Sequence, residues 1–266
     1  MPAPSLLMIK RTLGAFGSAA ALVAAVTATT TARVDDQGKT ATNLKSFEGI
    51  EEPEVRYLPK TDSFAPDSFV NITDRGDNTV RMTLRYRAND WWDADRQTTN
   101  KDRQRAEVKG LGVHQKDNET FEYGTTWRTD PNFKAGNRFC HVFQLKATDG
   151  DNSPPLIVLS ILPGPGTAAV RYWSGDSKNF VIARKFPWKP NTWQTVKIRV
   201  HTSKDGKGEV TASVNGDAFQ GDKSINAFRP RATDYRPKWG LYRGVTKEMP
   251  FGDDYVEHKN ANARKM

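Results

Sequence analysis

The stretch Thr192-Trp193-Gln194-Thr195-Val196-Lys197-Ile198-Arg199-Val200-His201 decides the fold. Val196, Ile198 and Val200 alternate with Thr195, Lys197, Arg199 and His201, a period of two that puts apolar side chains on one face of a strand and polar ones on the other. The pattern recurs outward from there. Over 79–88, Met82, Leu84 and Tyr86 alternate with Arg81, Thr83, Arg85 and Arg87, and over 119–129, Phe121, Tyr123, Thr125 and Trp127 share one face. The run Leu156 to Leu162, apolar but for Ser160, reads as a strand buried on both faces. Turn-forming clusters separate these runs: Thr148-Asp149-Gly150-Asp151-Asn152, Pro163-Gly164-Pro165-Gly166, Lys204-Asp205-Gly206-Lys207-Gly208 and Asn215-Gly216. No long segment beyond the N-terminal stretch sustains a helical repeat of apolar residues, and no internal repeat of about 20–50 residues is present. Many short strands at this spacing predict an all-β protein, a two-sheet sandwich of the β-jelly-roll kind.

Composition fits one such domain. The chain has 266 residues; its hydrophobic fraction is only 36%, yet 7 Trp, 7 Tyr and 13 Phe supply large pieces for a core. A single cysteine, Cys140, excludes an internal disulfide framework and any cysteine-based zinc cluster. Residues 1–32 carry Lys10 and Arg11, then an apolar Ala-rich run from Leu13 to Val26, then small residues: the order of a secretory signal peptide, and a run too short to span a bilayer. Secretion, to the extracellular space or a periplasm, is the expectation, with an N-terminal membrane anchor as the alternative. Residues 33–65 read as a polar lead-in with one edge strand, 66–258 as the jelly-roll domain and 259–266 as a polar tail. With 40 Lys and Arg against 31 Asp and Glu the formal charge is +9; removing Lys10 and Arg11 leaves 38 against 31, or +7. The positive charge therefore belongs to the folded domain and points to a polyanionic partner.

Three segments carry the chemistry. In Asp102-Arg103-Gln104-Arg105-Ala106-Glu107-Val108-Lys109, strand alternation puts Arg103, Arg105, Glu107 and Lys109 on one face, a row of cations whose mutual repulsion a bound anion would relieve. In Arg138-Phe139-Cys140-His141-Val142-Phe143-Gln144-Leu145-Lys146, Gln144 and Lys146 share a face while Phe143 and Leu145 point to the core; a regular strand sends His141 to the face opposite Gln144. In Tyr235-Arg236-Pro237-Lys238-Trp239-Gly240-Leu241-Tyr242-Arg243, Lys238 and Tyr242 share a face, and Gly240 between them leaves room for a ligand to approach the backbone. Cations beside Tyr242 are expected to lower its phenol pKa.

Together these segments resemble the three signature strands of the jelly-roll polysaccharide lyases, a concanavalin A-like group that includes alginate lyases, glucuronan lyase and heparin lyase I. In the alginate-lyase branch the strands read Arg-(Ser/Thr)-Glu-(Leu/Val)-Arg, Gln-(Ile/Val)-His and Tyr-Phe-Lys-Ala-Gly-x-Tyr. Here, in the same order, stand Arg105-Ala106-Glu107-Val108-Lys109, Gln144-Leu145-Lys146 and Lys238-Trp239-Gly240-Leu241-Tyr242. The resemblance spans roughly residues 66–245. Lys146 stands where that branch has its His, and Arg236 where a Tyr precedes the Lys, so the chain looks nearer the glucuronan-lyase and heparin-lyase side, as do Asp90-Trp91-Trp92-Asp93 and the Pro154-Pro155-Leu156 strand.

The resemblance implies β-elimination on a uronic-acid polymer: removal of the proton at C5, next to the carboxylate, and expulsion of the oxygen at C4. Such a site must neutralise the carboxylate and stabilise the charge that develops. Arg105 and Gln144 are the expected clamp and Tyr242 the acid that protonates the leaving oxygen, either doubling as base or served by His141 or His114. Lys238 is expected to hold the Tyr242 pKa down; Arg103, Lys109, Lys146, Lys238 and Arg243 are expected to bind substrate, and Trp91 and Trp92 to stack on sugar rings. No cofactor is expected for catalysis; the Asp149-Gly150-Asp151-Asn152 loop could supply oxygen ligands to a structural calcium. The expected partner is an anionic polysaccharide, met by a monomer with no nucleic-acid or membrane partner after processing. A non-catalytic lectin-like module for acidic glycans is the rival reading. A glycoside hydrolase would need two converging carboxylates, which these strands lack.

Overall fold

The computed structural model describes residues 38–51, 70–86, 103–174, 179–244 and 252–266. The segment 1–32, read as a signal peptide, and the Trp91-Trp92 pair lie outside the described residues. Sixteen strands run through the described residues: β1 (Gly38–Thr40), β2 (Gly49–Glu51), β3 (Val70–Gly76), β4 (Thr79–Tyr86), β5 (Arg103–Lys109), β6 (Gln115–Lys116), β7 (Thr120–Thr129), β8 (Cys140–Ala147), β9 (Ile157–Ile161), β10 (Thr167–Ser174), β11 (Asn179–Pro187), β12 (Gln194–His201), β13 (Ser203–Val214), β14 (Gln220–Ala227), β15 (Asp234–Gly244) and β16 (Gly252–Lys265). They form two eight-stranded antiparallel sheets. The back sheet runs β14-β13-β12-β7-β16-β4-β3 with β1 added to β16; the front sheet runs β11-β10-β9-β8-β15-β5-β2 with β6 added to β15. This is the expected jelly-roll sandwich.

The alternation read from the sequence sets which face meets the core. Val196, Ile198 and Val200 of β12 are buried, as are Met82 and Leu84 of β4 and Phe121, Tyr123 and Trp127 of β7. Ala106, Val108, Phe143, Leu145, Trp239 and Leu241 face them from the front sheet. Full burial of a Leu or Phe contributes about 1.5–3 kcal/mol, so this two-sided layer holds the sandwich together. Tyr123 and Phe143 join the sheets, with ring centroids 5.7 Å apart, and the Tyr123 hydroxyl donates to Gln115 Oε1 at 3.0 Å, which satisfies it inside the core. β9 is buried throughout, Ser160 included.

Two expectations about the ends change. Residues 259–265 are the second half of β16: Asn262 pairs with Gly124 and Lys265 with Phe121, and Ala261 and Ala263 are buried on the core side. Small alanines between polar residues hid this period of two. The lead-in supplies an edge strand to each sheet, β1 on β16 and β2 on β5.

Candidate active site

β8, β15 and β5 are neighbours in the front sheet, and their register brings the three sequence segments side by side. Tyr242 sits opposite Arg105 on one flank and His141 on the other, while Lys238 sits opposite Lys109 and Gln144. Paired residues of adjacent strands share a face. The outer face of the sheet therefore carries one row of Arg105, Tyr242 and His141 and a second of Lys109, Lys238 and Gln144, with Glu107 opposite Gly240 between them.

His141 corrects the sequence reading. Between Trp239 and Tyr242 the β15–β8 register shifts, and between Phe143 and His141 the β8–β9 register shifts as well. A one-residue bulge at Val142 absorbs the odd spacing between His141 and Gln144 and turns both to the same face. His141 Nδ1 lies 2.8 Å from Ser160 Oγ, and its ring is 6.1 Å from that of Tyr242. Burial, with the nearby Arg171 charge adding to it, pushes the His141 pKa down to about 3, so the ring is neutral at neutral pH.

Glu107 lies between Arg105 and Gln144, the two residues of the expected clamp. It is buried; one carboxylate oxygen accepts from Gln144 Nε2, and the other lies 3.9 Å from Arg105 Nε. The room above Gly240 is filled by this strand: a Cβ there would meet Ala106 O at 2.2 Å and Glu107 Cα at 2.6 Å. The glycine thus serves the close approach of β5 rather than that of a ligand.

Tyr242 is packed and polarised by arginines. Arg103 Nη1 donates to its hydroxyl at 3.0 Å, and the Arg105 guanidinium carbon lies 4.7 Å from its ring centroid. Phe139 lies 4.9 Å from the Tyr242 ring and 5.2 Å from that of His141. The expectation of a lowered phenol pKa fails: burial raises it above the usual value, and Arg105 and Arg103 offset only part of that rise. Lys238 lies four residues along β15 from Tyr242, opposite Gln144.

Other expected site residues divide. Lys109 and Lys146 are partly exposed at the same face, with Lys238 buried between Lys109 and Gln144 in register. Arg243 is a correction. It is fully buried on the core side of β15, with Nε and Nη2 donating to Gln104 Oε1 at 3.3 and 3.2 Å and Nη1 paired to Asp254 of β16. It ties the two sheets together and cannot reach substrate. His114 is also remote from Tyr242: it bridges Asp234, at 2.8 Å, and Glu48, at 3.1 Å. Asp234 begins β15 and lies eight residues, about 26 Å of strand, from Tyr242. Cys140 is buried and its thiol pushed up to about 12, chiefly by burial, which suits a core residue. Three side chains went unread in the sequence. Arg171 of β10 lies 5.0 Å over the Phe180 ring, Trp173 packs edge-on to Phe180 at 5.5 Å, and Phe180 lies 6.3 Å from His141. The alternation of Arg171 and Trp173 with Val170 and Tyr172 was the available signal.

The proposed calcium loop does not fit a cation. Asp149 accepts from Thr233 N at 2.9 Å, Thr233 Oγ1 at 2.6 Å and Asp234 N at 3.1 Å. Asp151 accepts from Arg229 Nη2 at 2.6 Å and Ser153 N at 3.1 Å. Carboxylates faced by N–H donors and a guanidinium staple a loop; they do not form an oxygen cage.

Comparison with known proteins agrees with the resemblance. No curated protein matches the sequence. The endo-beta-1,4-glucuronan lyase from the fungus Trichoderma reesei superposes with a TM-score of 0.61 over 88% of this chain and 96% of its own, at 14% identity. An alginate lyase from polysaccharide lyase family 7 gives 0.52 over 86% and 94%, also at 14%, and an alginate lyase from Chlorella virus 0.51 over 74% and 89%, at 12%. At such identities the likeness is one of fold. The family model for polysaccharide lyase matches residues 45–259, most of the chain, and the protein belongs to that family.

Proposed function

We propose that this polysaccharide lyase is secreted and cleaves a uronate-containing anionic polysaccharide by β-elimination at the outer face of the front sheet. The observation that carries the reading is the convergence of Arg105, Tyr242, His141 and Gln144 on adjacent strands of that face. Glucuronan and alginate, the polymers in the names of the structural neighbours, are both uronate chains, and this supports the substrate class.

In this reading the C5 carboxylate of the substrate docks on Arg105, which offers a charged planar donor, and on the second amide proton of Gln144, the first being held by Glu107. Neutralising that carboxylate makes the adjacent C5 proton removable. Glu107 keeps Arg105 and Gln144 oriented before substrate arrives, so no reorganisation is needed during reaction. Tyr242, protonated because its pKa is raised, gives its proton to the departing C4 oxygen. His141, neutral and held through Nδ1 by Ser160, takes the C5 proton; the substrate's negative charge beside it raises its affinity for that proton. Lys109, Lys146 and Lys238 bind neighbouring uronates. Arg105 and Gln144 supply the neutralisation, so the scheme calls for no metal, and it needs only one copy of the chain.

The test is incubation of the purified protein with glucuronan, polymannuronate, polyguluronate, heparin and ulvan while following the ultraviolet absorbance of the unsaturated product. A rise with at least one polymer is expected. Cleavage without an unsaturated end, or no cleavage of any of the five, would overturn the proposal.

A further inference from the structure

The outer face of the back sheet, on the far side of the core from the front-sheet site, is also cationic. Glu257 of β16 is buried between two arginines: Arg81 of β4 donates to Oε1 from Nε at 2.9 Å and Nη2 at 2.7 Å, and Arg128 of β7 donates to Oε2 from Nε at 2.6 Å. Further along the same face Glu122 stands between Arg199, at 3.2 Å, and Arg264, at 3.3 Å. Each carboxylate is outnumbered two to one, so each cluster keeps one positive charge. The two clusters are separated by the six residues of β7 from Arg128 to Glu122, about 20 Å of strand.

Aromatic surface lies beside both clusters. Trp193 is 37% exposed, with the Arg128 guanidinium carbon 4.5 Å from its ring; Arg81 covers Tyr255 at 3.9 Å, and Arg199 covers Phe219 at 4.3 Å. Around the first cluster is an open groove of about 570 Å³ whose lining includes Arg75, Arg81, Arg128, Lys259 and Trp193, with Asp77 and Glu257 as its carboxylates. Four cations against two carboxylates, rimmed by an exposed indole, complement a chain that is anionic and has apolar sugar faces. An ion network built for stability alone gains little from unbalanced charge, because the surplus cations repel one another.

We infer that this groove is a second, non-catalytic binding site for an acidic polysaccharide, with Trp193 stacking on a sugar ring and Arg81, Arg128 and Lys259 meeting its carboxylates. The inference rests on the proposed uronate substrate. Because the groove and the front-sheet site lie on opposite sheets, a short oligosaccharide cannot fill both. The second site instead tethers the enzyme to bulk polymer and raises the local concentration of cleavable chain.

The test uses the full chain and two variants, Trp193→Ala and Lys259→Glu, with melting temperature as the check on folding. Retardation in native gels containing glucuronan, and KM for the cleaved polymer and for its tetrasaccharide, are measured on each. Loss of retardation and an increase in polymer KM of about tenfold, with tetrasaccharide KM unchanged, are expected. Unchanged retardation would overturn the inference. So would an equal rise in KM for polymer and tetrasaccharide, or equal retardation by duplex DNA, which would mark a general polyanion surface. Wild-type retardation that the variants lose, in a protein that cleaves none of the five polymers, would sink the proposed reaction and leave the second site standing.

Discussion

Removing one oxygen atom tests the proposed chemistry. Tyr242→Phe deletes the hydroxyl that accepts from Arg103 Nη1 at 3.0 Å and leaves the ring contacts with Phe139 at 4.9 Å, Arg105 at 4.7 Å and His141 at 6.1 Å. A hydrogen bond to a charged partner is worth about 1.5–3 kcal/mol when buried, and Arg103 is partly exposed, so water recovers some of that. The net cost is about 1 kcal/mol. For a domain of this size that lowers the melting temperature by about 2–4 °C. The effect on turnover is far larger. A positioned general acid contributes about 10²–10⁴ in rate, or about 3–5 kcal/mol of transition-state stabilisation.

The expected result is therefore a fall in kcat of that order with KM within about threefold of wild type, because Arg105 and Gln144 still clamp the carboxylate. Initial rates from product absorbance, beside a thermal melt, read both quantities. The raised phenol pKa adds a pH signature: a general acid must be protonated, so wild-type activity on the alkaline side persists until the pH passes above the usual tyrosine value. A kcat within threefold of wild type refutes the assignment. A raised KM at unchanged kcat would refute it too, and would make Tyr242 a binding group only.

Three further outcomes follow from the same geometry. Glu107→Gln keeps the shape and removes the charge that faces Arg105 and Gln144; kcat/KM should fall at least about tenfold, about 1.4 kcal/mol, and kinetics matching wild type would show that Glu107 does not orient the clamp. Gly240→Ala forces a methyl against Ala106 O and Glu107 Cα and should cost more than about 2 kcal/mol, seen as a melting temperature lower by at least about 4 °C; a stable, active variant would mean that β5 can move aside. His141 and His258 have native pKa values lowered to about 3 and about 4, both mainly by burial, while the unfolded chain titrates near 6.5. The unfolded state therefore binds more protons below pH 6.5. The stability of the neutral native rings is complete above that pH and is lost as pH falls toward 4. Melting temperature measured from pH 7 to 4.5 should drop steadily, before Glu257 and Asp234, whose pKa values are lowered, begin to protonate; a flat profile there would contradict the buried neutral rings.

The sheets were legible because alternation reports burial directly. Val196, Ile198 and Val200 face the core for the reason the pattern gives, and Arg105, Gln144 and Tyr242 meet on one face because period two and register act together. What escaped is what alternation alone does not encode. His141 moved to the working face through a bulge, a two-against-one count that only the partner strands reveal. Arg243 satisfied the alternation and was misjudged by charge: its parity assigns it to the core, where Gln104 and Asp254 make a buried guanidinium tolerable. The alanines of β16 lacked the bulk that marks a core face, although the face is there.

The same contrast bears on the charge. Net charge is one number for the whole chain, but its effect depends on which faces carry the cations. Arg243 is cancelled inside by Asp254, and Arg229 by Asp151. The two arginine clusters around Glu257 and Glu122 keep their excess on the outer face of the back sheet, and Lys109 and Lys146 stand on the outer face of the front sheet. A sandwich exposes two opposite outer faces, and both are cationic here. If the front face alone served the polymer, neutralising Arg128 or Lys259 should leave polymer KM untouched. If both serve it, the change should appear with polymer length, because only a long chain can engage the second face while the first is cleaving.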